Sequence, residues 1–307
     1  MDELFENRHK RRVFIYLASV TFLLLLLTRI FVIPAVFKVA QPQFVEIVNI
    51  VLDNLIASGI ATVAIAGLIF WLNPPVMRKA EISVLEPHQV SRALQEGRQS
   101  TNTYWFSGGT GRFTRAVTIP ELANSARSKN QTTEIFIQVI DPRNSNLCEA
   151  YANYRNRLRS AGGKSPWTTK RVQLEVYATI VSAYAHQSAQ PLLRVTVGLK
   201  QSYSLFRTDL SSKEAIITKE DPQEPALICR AGSLFYQSFF EDMRLSLDQA
   251  FILSRISCQQ PQALKAEDVS KILEDLNILN PDLSETDFLQ IIDKVQKYDS
   301  PYAGSTR

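Results

Sequence analysis

The sequence predicts an N-terminal two-helix transmembrane hairpin, followed by a cytoplasmic α/β domain with a mixed sheet and a small α-helical C-terminal extension. Three observations predict it. Two long apolar runs lie between Val13 and Leu72, strands alternate with helical periodicity from Pro87 to Leu253, and the composition shifts to short acidic helices after Gln260. The expected divisions are a basic arm (1–12), a first transmembrane helix (13–33), an outer loop and helix start (34–50), a second transmembrane helix (51–72), a linker (73–86), the α/β domain (87–255) and the extension (256–307).

The first run, VFIYLASVTFLLLLLTRIFVI from Val13 to Ile33, would make a helix roughly 31 Å long, which matches a bilayer core. The second reads NLIASGIATVAIAGLIFWL after Asp53 and contains no charged residue. Arg8, Lys10, Arg11 and Arg12 precede the pair, Arg78 and Lys79 follow it, and the loop between offers Lys38. The positive-inside rule then places both termini in the cytoplasm. Arg29 is expected to snorkel to the outer interface, and Glu46 and Asp53 to be solvated at the outer start of the second helix or, alternatively, to line a pore mouth. Ala57, Ala61 and Ala64 form a small-residue seam suited to helix packing in lipid, within the hairpin or in an oligomer.

Val90, Ala93 and Leu94 predict a helix over Pro87–Gln99. TNTYWFSGG is a strand closed by glycines, and TIPELANSARS a helix that Thr118 could cap, with Pro120 and Glu121 in its first turn. TTEIFIQVIDP, from Thr132 to Pro142, is a second strand, and Leu147, Ala150, Tyr151, Tyr154 and Leu158 recur at helical spacing after it. Val172–Gln187 is helical, LLRVTVGLK from Leu192 a strand, and SLFRTDLSSKEAIITKED a hairpin around Ser211–Lys213. ALICRAGS from Ala226 is a further strand, and Phe235–Leu253 a long amphipathic helix. In the extension, one helix runs from about Ala266 to Leu279, and another starts at Ser284 with Asp287 as a capping-box variant. Their apolar faces must dock on the parent domain or on a partner.

The net charge of +4 is modest and gives little support for nucleic-acid binding. Cys148, Cys229 and Cys258 lack CxxC spacing, and His9, His88 and His186 form no metal or triad motif, so no catalytic residue, metal or cofactor is assigned. The candidate ligand-binding stretch is the loop holding Gly108, Gly109, Gly111, Arg112, Thr114 and Arg115. Its backbone N–H groups could converge on an anion while the arginines clamp it. Alternatively it is a tight strand-to-helix turn whose arginines are tied to carboxylates such as Asp141 or Glu149. AGGKS, from Ala161 to Ser165, lacks the Walker glycine and reads as a linker loop.

From Pro87 to Leu253 the order of elements resembles a phospholipase D-like domain, with SLFRTDLSSKEAIITKED similar to the hairpin that carries that family's HxKxxxxD motif. Phe206 or its neighbours stand where the histidine would be, so the resemblance implies a degenerate, non-catalytic copy. A basic N-terminus, two apolar helices and a domain containing SGGTGRFTR resemble the two-transmembrane effectors of bacterial retron antiphage systems. That resemblance implies a multi-pass inner-membrane protein that permeabilises the membrane in abortive infection. Its implied partners are a reverse transcriptase and its RNA–DNA product, membrane lipids and further copies of itself. The alternatives are a membrane-tethered enzyme acting on phosphodiesters or nucleotides, and a non-catalytic membrane scaffold.

Overall fold

The structure, a computed structural model, describes residues 16, 20–36, 42–72, 82–161, 165–256, 258 and 260–297. The chain divides into two units, Met1–Met77 and Arg78–Arg307. The basic arm (1–12), Val13–Ile15 of the first apolar run and residues 298–307 lie outside the described residues.

The expected two-helix hairpin is corrected. Among the described residues one helix is long and apolar enough to cross a membrane: α1, Pro42–Leu72, with its apolar window at Glu46–Ile65. The first run supplies a shorter apolar helix, Val20–Phe31. Its end passes into a π-helical turn at Thr28–Val32 and a four-residue helix, Ile33–Val36. Arg29 forms an ion pair with Asp53 of α1, and both side chains stay partly exposed. Hydropathy counts apolar residues and carries no information on whether they form α- or π-helical turns. Ala57, Ala61 and Ala64 are exposed on α1.

The second unit is an eight-stranded mixed sheet in the order β1-β7-β6-β5-β2-β3-β4-β8. The strands are β1 (Ile82–Leu85), β2 (Thr103–Ser107), β3 (Thr133–Ile140), β4 (Leu193–Lys200), β5 (Phe206–Leu210), β6 (Glu214–Lys219), β7 (Ala226–Arg230) and β8 (Phe251–Ile252). β2, β3 and β4 are parallel, and the other pairings are antiparallel. The helices are α2 (Pro87–Gln99), α3 (Ile119–Lys129), α4 (Ser145–Asn156), α5 (Thr169–Ala189), α6 (Leu234–Asp248), α7 (Ala266–Asp275) and α8 (Glu285–Gln296).

Strand alternation sorts the core onto two faces. Tyr104, Phe106, Ile135 and Ile137 point into the larger cluster with α3, α4 and α5, while Trp105, Ala215 and Ile217 point into a smaller one under α6. Buried on nearly every side, α5 forms the middle layer. Val269, Ile272 and Leu273 of α7 and Ile291, Ile292 and Val295 of α8 join its cluster, so the extension docks on the parent domain. The Ser284–Asp287 capping box forms in both directions.

Three local expectations change. β1 lies in the stretch read as linker, and β8 lies inside the run read as helix to Leu253; α6 stops at Asp248. Thr118 caps nothing: it has helical dihedrals and belongs to a π-helical turn, Thr114–Thr118, that continues into α3. A proline inside a helix removes an N–H and crowds the preceding turn. Here the wider π turn lies immediately ahead of Pro120, where Ile119 N–H donates to Thr114 O.

Candidate anion pocket

From β2 the chain winds out to β3 and β4, then returns to lay β5 on the other side of β2. In open sheets of this kind the strand ends at such a reversal leave a crevice. A cavity of about 340 Å³ opens here, lined by Phe106, Thr110, Gly111, Arg112 and Phe113 from β2 and its loop, and by Arg207 of β5. Arg155, Trp167, Arg171 and Glu220 complete its charged and aromatic wall.

The glycine loop is fixed by packing. Gly108 N–H donates to Gln138 O at 3.0 Å, and Gly109 O accepts from Ile140 N–H at 3.1 Å, so both prolong the β3 ladder. A Cβ on Gly109 would lie 2.2 Å from the Tyr151 hydroxyl oxygen. Gly111 has φ +70°, and a Cβ there would meet Thr179 at 2.8 Å. Thr114 is buried in the π turn. Of the six loop residues singled out in the sequence, Gly111 and Arg112 line the cavity. Gly108, Gly109, Thr114 and Arg115 build the wall behind it.

Arg115 points away from the cavity. Its Nη2 donates to Glu175 Oε2 at 2.8 Å, and its Nη1 to the Glu175 backbone O at 3.0 Å. Lys294 of α8 reaches Glu175 Oε1 at 2.9 Å, and Arg112 Nε stands 3.6 Å from Oε2. The carboxylate of the loop arginines is therefore Glu175, in place of Asp141 or Glu149; Asp141 is held by Arg143 at 2.7 Å. Burial pushes the Glu175 pKa up, but Arg115, Arg112 and Lys294 outweigh it and hold the group at about 2. A carboxylate depressed on folding contributes stability above its unfolded pKa and loses it as pH falls through the folded one. Wild-type protein should therefore be more stable than Glu175→Gln at neutral pH. That advantage should shrink from about pH 5 downward and be gone near pH 2, as read by thermal unfolding of both proteins across that range.

The cavity itself is strongly cationic. The Trp167 ring has the Arg171, Arg155 and Arg112 guanidinium carbons 4.4, 4.7 and 5.8 Å from its centroid. Cation–π attraction offsets part of their mutual repulsion. Arg155 pairs with Glu220, which also accepts from Tyr151 Oη at 2.7 Å, and Arg207 Nε donates to Asp209 at 2.9 Å. Arg171 instead donates to the carbonyls of Ser165 and Pro166 at 2.6 and 3.2 Å. Burial, then Arg112, with Arg155 adding to it, lower its pKa against the pull of Glu175. The buried Nε atoms of Arg112 and Arg155 have no hydrogen-bond partner among the described residues. Arg171, held by carbonyls where the other three arginines have carboxylate partners, gives the wall a guanidinium whose charge suits an incoming oxyanion.

Arg155, Trp167, Arg171 and Arg207 were missed in the sequence. They come from three separate segments, and the signals available were the arginine-rich NYRNRLRS and the Trp167-to-Arg171 stretch. Gly162–Lys164, in the AGGKS string, lies outside the described residues.

No protein-family model matches the chain, and no curated protein matches it in sequence. Among solved structures it is similar to TrmBL2, described as an archaeal chromatin protein with a novel mode of DNA binding. The identity is 11%, the match covers 71% of this chain and 72% of that one, and the TM-score is 0.32. A score this low carries no argument about fold or function.

Proposed function

We propose that the chain is an inner-membrane effector, attached by α1, whose α/β unit receives an anionic ligand in the arginine pocket and controls membrane permeabilisation in antiphage defence. The observation that carries this reading is the presence, in one chain, of a 31-residue helix with only 6% of its apolar window buried and a cavity walled by four arginines. An exposed apolar helix of that length needs lipid or protein around it. The hairpin that resembles the phospholipase D-like motif brings Arg207 to the cavity. A guanidinium stays protonated and binds oxyanions without attacking them, which favours sensing over phosphodiester chemistry. The retron resemblance supplies the restraining partners, a reverse transcriptase and its RNA–DNA product.

The test is dye entry into bacteria that express the full chain with its neighbouring genes under phage challenge. Aspartate near a membrane-helix centre costs about 3 kcal/mol per residue. Ala61→Asp with Ala64→Asp should move the chain out of the membrane fraction and abolish dye entry. Dye entry that persists in this double variant would overturn the proposal, as would its absence from the challenged wild type.

A further inference from the structure

Glu175 carries one carboxylate among three cations, so the cluster holds an excess of positive charge. Arg115 and Lys294 lie 2.8 and 2.9 Å from it; Arg112, at 3.6 Å and partly exposed, is the loosest of the three and also lines the cavity. Lys294 belongs to α8, so this buried carboxylate ties the C-terminal extension to α5 directly behind the cavity wall. A second tie, Lys170 to Asp287 at 2.8 Å, joins the same two helices without reaching Glu175.

We propose that the cavity takes a phosphate-bearing ligand no larger than a mononucleotide, and that Arg112 transfers from Glu175 to that phosphate, so that occupancy tightens the seating of α8. This rests on the anion-pocket reading above. The size follows from the volume: about 340 Å³ is near the lower end of the range for small-molecule sites. The transfer follows from geometry, because a phosphate beside Arg155 and Arg171 offers Arg112 the direct hydrogen bonds that a carboxylate at 3.6 Å does not. Its effect on α8 follows from charge: removing the third cation relieves repulsion on Lys294 and leaves Glu175 to be shared by two cations. Coupling of this kind is reciprocal, so weakening the Lys294 tie must weaken phosphate binding.

The experiment uses the full chain in detergent micelles, inorganic pyrophosphate as the probe, titration calorimetry for affinity and amide hydrogen exchange over residues 285–296. Pyrophosphate should bind and slow exchange in α8 by about fivefold or more. Lys294→Met, outside the cavity lining, should weaken pyrophosphate binding by about fivefold. Lys170→Met removes an equal charge and the other α5–α8 ion pair, and should change affinity less than about twofold. Binding without a change in α8 exchange, or equal losses in the two lysine variants, would overturn the coupling and leave the anion site standing. If pyrophosphate does not bind the wild-type chain, the anion-pocket reading falls and the coupling with it.

Discussion

Replacing Gly109 with alanine is expected to lower the thermal unfolding midpoint of the α/β unit by about 6–12 °C, from a loss near 3 kcal/mol. The added Cβ would meet the hydroxyl and ring of Tyr151 at 2.2–2.4 Å. Tyr151 is fully buried and its hydroxyl is committed to Glu220, so it has little freedom to withdraw. Gly97→Ala is the matched control. Its Cβ would find its nearest atom at 3.5 Å, inside a helix where alanine is favoured over glycine by up to about 1 kcal/mol. Unfolding of the two variants, followed by circular dichroism in micelles, should show a large loss for the first and none for the second. Equal midpoints would show that the loop relaxes freely and does not brace the cavity.

Arg171→Gln should weaken pyrophosphate binding about 10- to 100-fold, the range for losing a charge-assisted contact, while leaving the unfolding midpoint unchanged or slightly raised. The reason is the partner set of Arg171. It holds two carbonyls and an aromatic face, and its neighbours Arg112 and Arg155 repel it. Arg155→Gln should behave differently, because it strips Glu220 of its cation and so costs stability as well as affinity. Calorimetric titration and thermal unfolding of both variants separate the two effects. Unchanged affinity in Arg171→Gln would remove this residue from the site, and a large stability loss would make it a structural arginine.

The parallel strands were legible because β3 and β4 are long, branched-chain-rich and closed by Asp141-Pro142 or by the polar Gln201-Ser202. The β5–β6 hairpin was legible from Ser211–Lys213. β1 was not, since four residues give no usable alternation and its pairing with β7 is set by residues about 145 positions on. β8 was hidden because LDQAFIL satisfies a helical apolar spacing; pairing of Leu199 with Phe251 decided it. In the N-terminal apolar runs, likewise, composition alone does not reveal the π turn at Thr28–Val32 or the Arg29–Asp53 pair. In the candidate site the glycines could be seen, but the opposite fates of Arg112 and Arg115 could not. Those fates are fixed by Glu175, 60 residues beyond Arg115 along the chain.

The indole of Trp167 gives the cavity an optical signature. The other two tryptophans are elsewhere: Trp71 lies in α1, and Trp105 is stacked on Phe136 with centroids 4.0 Å apart, on the α6 side of the sheet. Indole emission responds to nearby charge, and the three guanidinium groups around Trp167 are the ones an anion would neutralise. With Trp71 and Trp105 replaced by phenylalanine, the remaining fluorophore reports filling of the cavity in the full chain, without an added label.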